Sequence, residues 1–283
     1  MIGLSPNNFR CLSISSSNWD IFDFVNSHML SAFEYIKYLL ASRKRHGVHS
    51  PFLYEFTDKC FKINYTIEDG KKNLLFKHQN IKSAETITIT DYGAGSKYMN
   101  SQRRVKDIFK KSSSKGKYGK LLYQISKYYN PKNILELGTS LGNGTVQLAL
   151  GNPLAHVTTI EGCPETAKIS KRNFENLAVK NIELLNITFD DFFKQESKKV
   201  FDLVFIDGHH DGEALKKYLV ALEPLIHKDT IVILDDIRWS NSMIAAWNDI
   251  VSSANYCVTI DLFRVGIIVK RPQQYKEHFV IRM

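Results

Sequence analysis

The stretch Asn133-Ile-Leu-Glu-Leu-Gly-Thr-Ser-Leu-Gly-Asn-Gly-Thr145 constrains the fold of this chain more than any other. A short apolar run ends beside an acid, passes through a glycine-rich turn and enters the apolar pattern Val146-Gln-Leu-Ala-Leu150. Buried parallel strands hand over to helices in this way at the ligand edge of a doubly wound sheet. Glycine matters there because a backbone without a Cβ can be approached closely. The spacing Gly138-x-x-x-Gly142-x-Gly144 is not Gly-x-Gly-x-x-Gly, which argues against NAD. Nor is it the phosphate loop Gly-x-x-x-x-Gly-Lys-Ser/Thr, since no Lys follows Gly144, which argues against ATP hydrolysis.

The pattern then repeats. His156-Val-Thr-Thr-Ile160 reads as a second strand ending in Glu161-Gly162, where an acid is placed to accept hydrogen bonds from both ribose hydroxyls of an adenosine-type ligand. A third strand, Asn181 to Ile187, precedes Asp190-Asp191. A fourth, Phe201 to Ile206, ends in Asp207-Gly-His-His210. A fifth, Thr230 to Leu234, ends in Asp235-Asp236. Helical patterns over Glu165–Leu177, Gly212–Leu225 and Ser240–Ala254 separate the strands, which predicts βαβ units and a parallel sheet. Every strand places acid at its carboxyl end, the end where such sheets bind ligands. Tyr256–Leu262 and Val265–Lys270 are joined too tightly for a parallel crossover, so they are expected to form an antiparallel hairpin.

A parallel sheet closed by a terminal antiparallel hairpin resembles the class I S-adenosylmethionine-dependent methyltransferases, over roughly residues 116 to 283. Ile134-Leu-Glu-Leu-Gly-Thr-Ser-Leu-Gly142 is similar to that family's first motif and Thr159-Ile-Glu-Gly162 to its ribose-binding motif. Phe205-Ile-Asp-Gly-His-His210 is similar to the fourth-strand motif, nearest to the cation-dependent small-molecule O-methyltransferase branch. The whole chain also resembles a set of bacterial methyltransferases carrying a His-Gly-Val-His-Ser-Pro-Phe element, here residues 46–52. The resemblance implies S-adenosylmethionine as cofactor, held by Glu136, Gly138, Thr139, Ser140, Gly142, Gly144, Glu161, Gly162, Asp190, Asp191 and Asp207. It also implies Mg²⁺ as an assisting ion on Asp207, Asp235 and Asp236. Two departures stand out: Asp236 replaces the branch's usual Asn, and His210 lies where the branch often has a catalytic Lys.

The chemistry agrees with these residue types. Methyl transfer from a sulfonium is an in-line displacement, so positioning is the protein's main task. An acceptor hydroxyl must lose its proton; hard carboxylates holding Mg²⁺ would lower its pKa, and His210, assisted by Asp207, would take the proton. Simpler readings stand beside these. Asp235 and Asp236 would also suit the cap of the following helix. Glu136 either meets the cofactor or only stabilises its turn, and Gly142 and Gly144 equally serve turn geometry. His209 and His210 would equally suit an exposed turn.

Composition bounds the rest. The 283 residues, 43% hydrophobic and 24% charged, suit a soluble protein with one large α/β domain and an accessory region. No apolar run is long enough to span a membrane, and Met1–Asp20 lacks the pattern of a signal peptide. Cys11, Cys60, Cys163 and Cys257 are scattered without a Cys-x-x-Cys pair, which fits a reducing cytoplasm and neither zinc nor disulfides. The net charge of +9 comes from clusters such as Arg43-Lys44-Arg45, Arg103-Arg104 and Lys110-Lys111, with no aromatic-interleaved RNA motif, so solvated faces are the favoured explanation.

Residues 1–115 read as a mostly helical and irregular extension, and 116–283 as the methyltransferase domain. Phe22 to Leu40 has helical spacing. Ser50 and Pro51 are expected to cap and open a helix through Phe61. His46 and His49 would suit either a site or a hydrogen-bonded turn. Asp69 to Thr90 reads as polar and irregular; Asp91-Tyr-Gly-Ala-Gly-Ser96 mimics a glycine motif but reads as a loop or lid, and Ser112–Gly116 as a linker.

The leading expectation is methylation of a small-molecule hydroxyl, with nucleic acid unlikely as substrate, no membrane association, and a homodimer by analogy with the cation-dependent branch. The alternatives are RNA or protein methylation, although the Asn/Asp-Pro-Pro-Tyr/Phe motif is absent, and a non-catalytic cofactor-binding protein.

Overall fold

The structure is a computed structural model and describes residues 32–42, 50–90, 100–111, 116–195 and 199–283. His46, His49, the Arg43–Arg45 cluster, the Asp91–Ser96 loop and most of the Ser112–Gly116 linker lie outside the described residues.

The elements in chain order begin with helix α1 over residues 32–41, α2 (Pro51–Asp58), a short 3₁₀ turn (Cys60–Lys62) and α3 (Ile67–Lys82). Then come β1 (Thr86–Thr90), β2 (Asn100–Arg104), α4 (Val105–Lys111) and α5 (Gly116–Tyr129). The alternating part runs β3 (Asn133–Leu137), α6 (Asn143–Gly151), β4 (His156–Ile160), α7 (Pro164–Asn176), β5 (Ile182–Leu185), α8 (Phe189–Lys194), β6 (Phe201–Ile206) and α9 (Gly212–Leu222). It closes with β7 (Ile226–Leu234), α10 (Asn241–Ser252), β8 (Val258–Asp261), β9 (Gly266–Val269) and β10 (Glu277–Val280).

Eight strands form one sheet in the order β10-β8-β9-β7-β6-β3-β4-β5. The run β7-β6-β3-β4-β5 is parallel, while β9 is antiparallel to both β7 and β8. This is the expected mostly parallel, Rossmann-like sheet with its terminal hairpin. Both faces are covered, so the central strands are continuous apolar runs that divide with period two. Ile134, Leu203, Phe205, Ile231 and Ile233 pack on one face with Leu121, Ile125, Leu53 and Phe56. Leu135, Val204, Ile206, Val232 and Leu234 pack on the other with Leu215, Leu219, Trp247 and Ile250. Among the described residues no helix is long and apolar enough to cross a membrane.

Several expectations need correction. Asp69–Thr90 is not irregular: it holds most of α3 and all of β1. Thr66 caps α3 by accepting the Asp69 N–H. The face that docks is largely polar: Gln147 Nε2 donates to Asn73 Oδ1 (2.9 Å), and Asn173 Nδ2 to Asn80 Oδ1 (3.2 Å), flanking buried Phe76. Hydrophobic periodicity cannot reveal a helix held by amides. Ser50 occupies the N-cap position of α2 with Pro51 after it, but its side chain makes no capping bond; its Oγ instead accepts from Gln274 Nε2 at 3.3 Å. Strand β10, parallel to β8, was not expected.

The β1–β2 hairpin reaches the ligand edge of the large sheet. Arg172 pairs with Glu85 at 2.5 Å, and the Thr90 N–H points at Cys163 Sγ at 3.4 Å. Residues of the first 115 therefore wall the edge where the acids lie.

Candidate active site

The carboxyl ends of β3, β4, β6 and β7 meet through backbone hydrogen bonds. Gly138 and Thr139 N–H donate to the Ile160 carbonyl, Asp207 N–H to the Leu137 carbonyl and Asp235 N–H to the Ile206 carbonyl. The sheet thus carries its register into the turns that hold the expected site. Gly138 has φ +104°, and a Cβ there would run into the Asp207 carbonyl. Gly142 has φ +89°, and a Cβ there would strike the Phe174 ring. A Cβ at Gly144 would lie 2.5 Å from Glu136 Oε1 and 2.8 Å from Phe205. All three glycines are therefore required by packing of the protein against itself.

A cavity of about 640 Å³ opens over these turns. Of the expected cofactor residues, Gly138, Ser140, Glu161, Gly162, Asp190, Asp191 and Asp207 line it. Glu136, Thr139, Gly142 and Gly144 do not; they lie behind its wall. Strand alternation explains the difference for Glu136, which is buried under α6 and accepts on Oε2 from Thr145 Oγ1 and, at 2.6 Å, from Thr159 Oγ1. Thr139 Oγ1 lies 2.6 Å from Thr159 Oγ1 and extends the same hydroxyl chain.

Burial pushes the Glu136 carboxyl up to about 8 against its hydroxyl donors, and Oε1 has no hydrogen-bond partner among the described residues. A protonated acid is the buried form that costs least. The folded state therefore retains a proton that the unfolded chain has released, so Glu136 favours folding below 4.5 and loses that contribution as pH rises to about 8. Urea unfolding across this window is expected to show stability falling with pH, and Glu136→Gln to make the slope shallower. An unchanged slope would mean that Glu136 is ionised in the fold.

Glu161 sits at the cavity wall. Its Oε2 accepts the Ser140 N–H at 2.8 Å and its Oε1 the Cys163 N–H at 2.9 Å. Burial raises its pKa to about 7, opposed by those two amides. Asp190 and Asp191 lie in the first turn of α8, where acids suit the helix dipole. Asp190 pairs with Lys217 at 2.8 Å and Asp191 with Lys194 at 3.0 Å, and Thr188 Oγ1 donates to Asp191 at 2.7 Å.

A second cavity, of about 900 Å³, adjoins the first, and the two share Arg103, Ile108, Ser140, Asp207 and His210. Its other lining includes Arg104, Lys111, Asp236 and the exposed Trp239, whose ring centroid is 5.6 Å from that of His210. His210 Nδ1 lies 3.9 Å from Asp236 Oδ2. The expected catalytic pair, Asp207 and His210, thus shares the wall between the two cavities. Ser140 (φ 50°), His209 (63°), His210 (36°) and Asp236 (52°) all adopt left-handed backbone without being glycine. Such strain is held only where the surrounding structure imposes it, and four of the eight non-glycine residues that carry it among the described residues line these two cavities.

Among the described residues no group of three or more His, Cys, Asp or Glu side chains is placed to share one metal ion, the set Asp207, Asp235 and Asp236 included. Asp235 and Asp236 are buried, and the Arg264 guanidinium faces them, its Nε 2.7 Å from Asp236 Oδ1 and 3.6 Å from Asp235 Oδ1. Nor do these acids cap the next helix: Ser240 does, accepting the Met243 N–H.

Sequence reasoning missed Arg264, Trp239, Phe189 and the contribution of β2 and α4. Arg103, Arg104 and Lys111, read as solvated charge, line the second cavity. The one local signal was Gly208, where a Cβ would lie 2.8 Å from the Phe189 ring.

Residues 135–237 match the family described as Methyltransferase domain. The chain is 27% identical over 133 residues to a catechol O-methyltransferase of Mycobacterium tuberculosis, covering 46% of this chain and 60% of that protein. It is 28% identical over 125 residues to catechol O-methyltransferase B of Danio rerio, covering 42% and 47%. The matched stretch thus spans about half the length of these relatives. An O-methyltransferase from Bacillus cereus solved in complex with SAH superposes with a TM-score of 0.50 at 19% identity, over 77% of this chain and 96% of that one, and shares the fold.

Proposed function

We propose that this chain, which matches the Methyltransferase domain family over residues 135–237 and is similar to catechol O-methyltransferases, moves a methyl group from S-adenosylmethionine to a hydroxyl of a small molecule. The observation that carries this reading is the pair of adjoining cavities with Ser140, Asp207 and His210 in their common wall. An in-line displacement needs donor and acceptor on either side of one short gap.

The first cavity suits the cofactor. Each Glu161 oxygen takes one backbone N–H. That fixes the carboxylate and leaves each oxygen a lone pair for the vicinal hydroxyls of a ribose. Gly162 and Phe189 flank the same space, and Ser140, Asp190, Asp191 and Asp207 complete the set that would hold the ligand. When bound, S-adenosylmethionine supplies an electrophilic methyl on a sulfonium. The protein's own residues do the rest. His210 accepts the acceptor's hydroxyl proton, and the Asp236 carboxylate behind its Nδ1 stabilises the imidazolium. Asp207 sets negative charge near the sulfonium. Trp239 gives a planar acceptor an aromatic surface, and Arg103, Arg104 and Lys111 favour one that is acidic.

Calorimetric titration with S-adenosylmethionine is expected to show micromolar binding, weakened by roughly a hundredfold or more in Glu161→Ala because two charge-assisted hydrogen bonds are lost. Equal affinity in the variant would remove Glu161 from the cofactor site, and no binding by the native chain would sink the proposal.

A further inference from the structure

Two turns at the carboxyl edge of the sheet exchange arginines. The turn after β7 carries Asp235, Asp236 and Arg238; the turn between β8 and β9 begins at Asp261 and carries Phe263 and Arg264. Arg238 grips Asp261 with both terminal nitrogens, at 2.9 and 2.6 Å. In return Arg264 faces Asp235 and Asp236. The backbone joins the same turns, since the Ile237 N–H donates to the Arg264 carbonyl at 3.0 Å. Arg264 is therefore tied to the turn after β7 by a hydrogen bond at its main chain and by ion pairs at its guanidinium.

A divalent cation on Asp235 and Asp236 would have to displace or share this charge. Two carboxylates already facing a guanidinium offer a second cation much less Coulomb attraction, and Mg²⁺ gives up its water reluctantly.

We propose that Arg264 takes the place of the divalent cation: it balances Asp235 and Asp236, aims Asp236 at His210, and lets methyl transfer proceed without a metal. Asp236 is the bridge, with Oδ1 toward Arg264 and Oδ2 toward His210. Arg264 lines neither cavity and so is a positioning residue that acts through Asp236. The catalytic meaning of this substitution rests on the proposed O-methylation, but the charge arrangement itself does not.

The test is Mn²⁺ titration read by electron paramagnetic resonance on the whole chain, with S-adenosylmethionine titrated into the same samples. The native chain and Arg264→Lys are expected to show no Mn²⁺ site that depends on Asp236. Arg264→Met is expected to gain one, with affinity roughly tenfold or more above the native chain, and Asp236→Ala in the same variant to remove it. A native Mn²⁺ site abolished by Asp236→Ala would overturn the proposal. So would an Arg264→Met chain that is folded by circular dichroism yet gains no site. If Arg264→Met does not fold, the comparison of the native chain with Asp236→Ala still decides. Loss of S-adenosylmethionine binding with the Mn²⁺ pattern intact would sink the methylation reading and leave the charge substitution standing.

Discussion

Asp261→Ala is expected to lower folding stability by about 3–5 kcal/mol, the range for removing one partner of a buried ion pair. Asp261 is 2% exposed and satisfies four donors. Its Oδ1 accepts from Arg238 Nη1 and the Phe263 N–H (2.8 Å), and its Oδ2 from Arg238 Nη2 and Trp247 Nε1 (3.2 Å). Truncation leaves a guanidinium that is 14% exposed, with Glu34 at 3.6 Å as its remaining acidic neighbour, and deprives the buried indole N–H of its acceptor. The damage extends to the N-terminal helix. Tyr35 and Tyr38 of α1 pack on Phe263, and Tyr38 Oη donates to the Ile281 carbonyl at 2.5 Å. Urea unfolding of the variant beside Asp261→Asn measures the effect. A loss below about 1 kcal/mol would mean that solvent screens the pair as it does at a surface.

Gly138→Ala is expected to cost about 2–5 kcal/mol. Left-handed backbone costs a residue with a Cβ about 1–2 kcal/mol, and forcing an extra methyl group into a packed site about 1–3 more. Both apply, because φ is +104° and the new methyl meets the Asp207 carbonyl, which cannot rotate away as a side chain would. Since Asp207 is on the wall shared by the two cavities, the variant is also expected to bind S-adenosylmethionine more weakly than its residual folded fraction accounts for. Gly70→Ala in α3 is the control. The nearest atom to its new Cβ is Tyr65 Cβ at 3.8 Å, so the same chemical change is expected to be neutral or to stabilise by up to about 1 kcal/mol. Equal behaviour of the two variants would refute the close-approach argument.

The glycine turn was legible because it had to satisfy several local demands at once, and the structure explains each glycine by an atom that a side chain would strike. Its expected ligand role was less legible. Ser140 and Gly138 face the cavity while Thr139 and Gly142 serve the interior, and one residue's difference in a turn decides which. The acids at the strand ends divide in the same way. Glu161 lies at the cavity wall, Glu136 is sealed beneath α6, and Asp235 is buried against Arg264, although all three occupy comparable places in the sequence pattern.

Local patterns along the chain carry the raw material of the strand order. Apolar runs of period two, helices of period 3.6 and the short β8–β9 connection are local, so neighbouring residues reveal them. Which charges meet is set by the packing of distant segments. Arg264 reaches Asp236 across 28 positions of sequence, and α3 docks through Asn73 and Asn80 on partners from α6 and α7. Such pairings are specific in space yet leave no periodic trace, because a hydrogen bond or ion pair constrains two side chains and nothing between them.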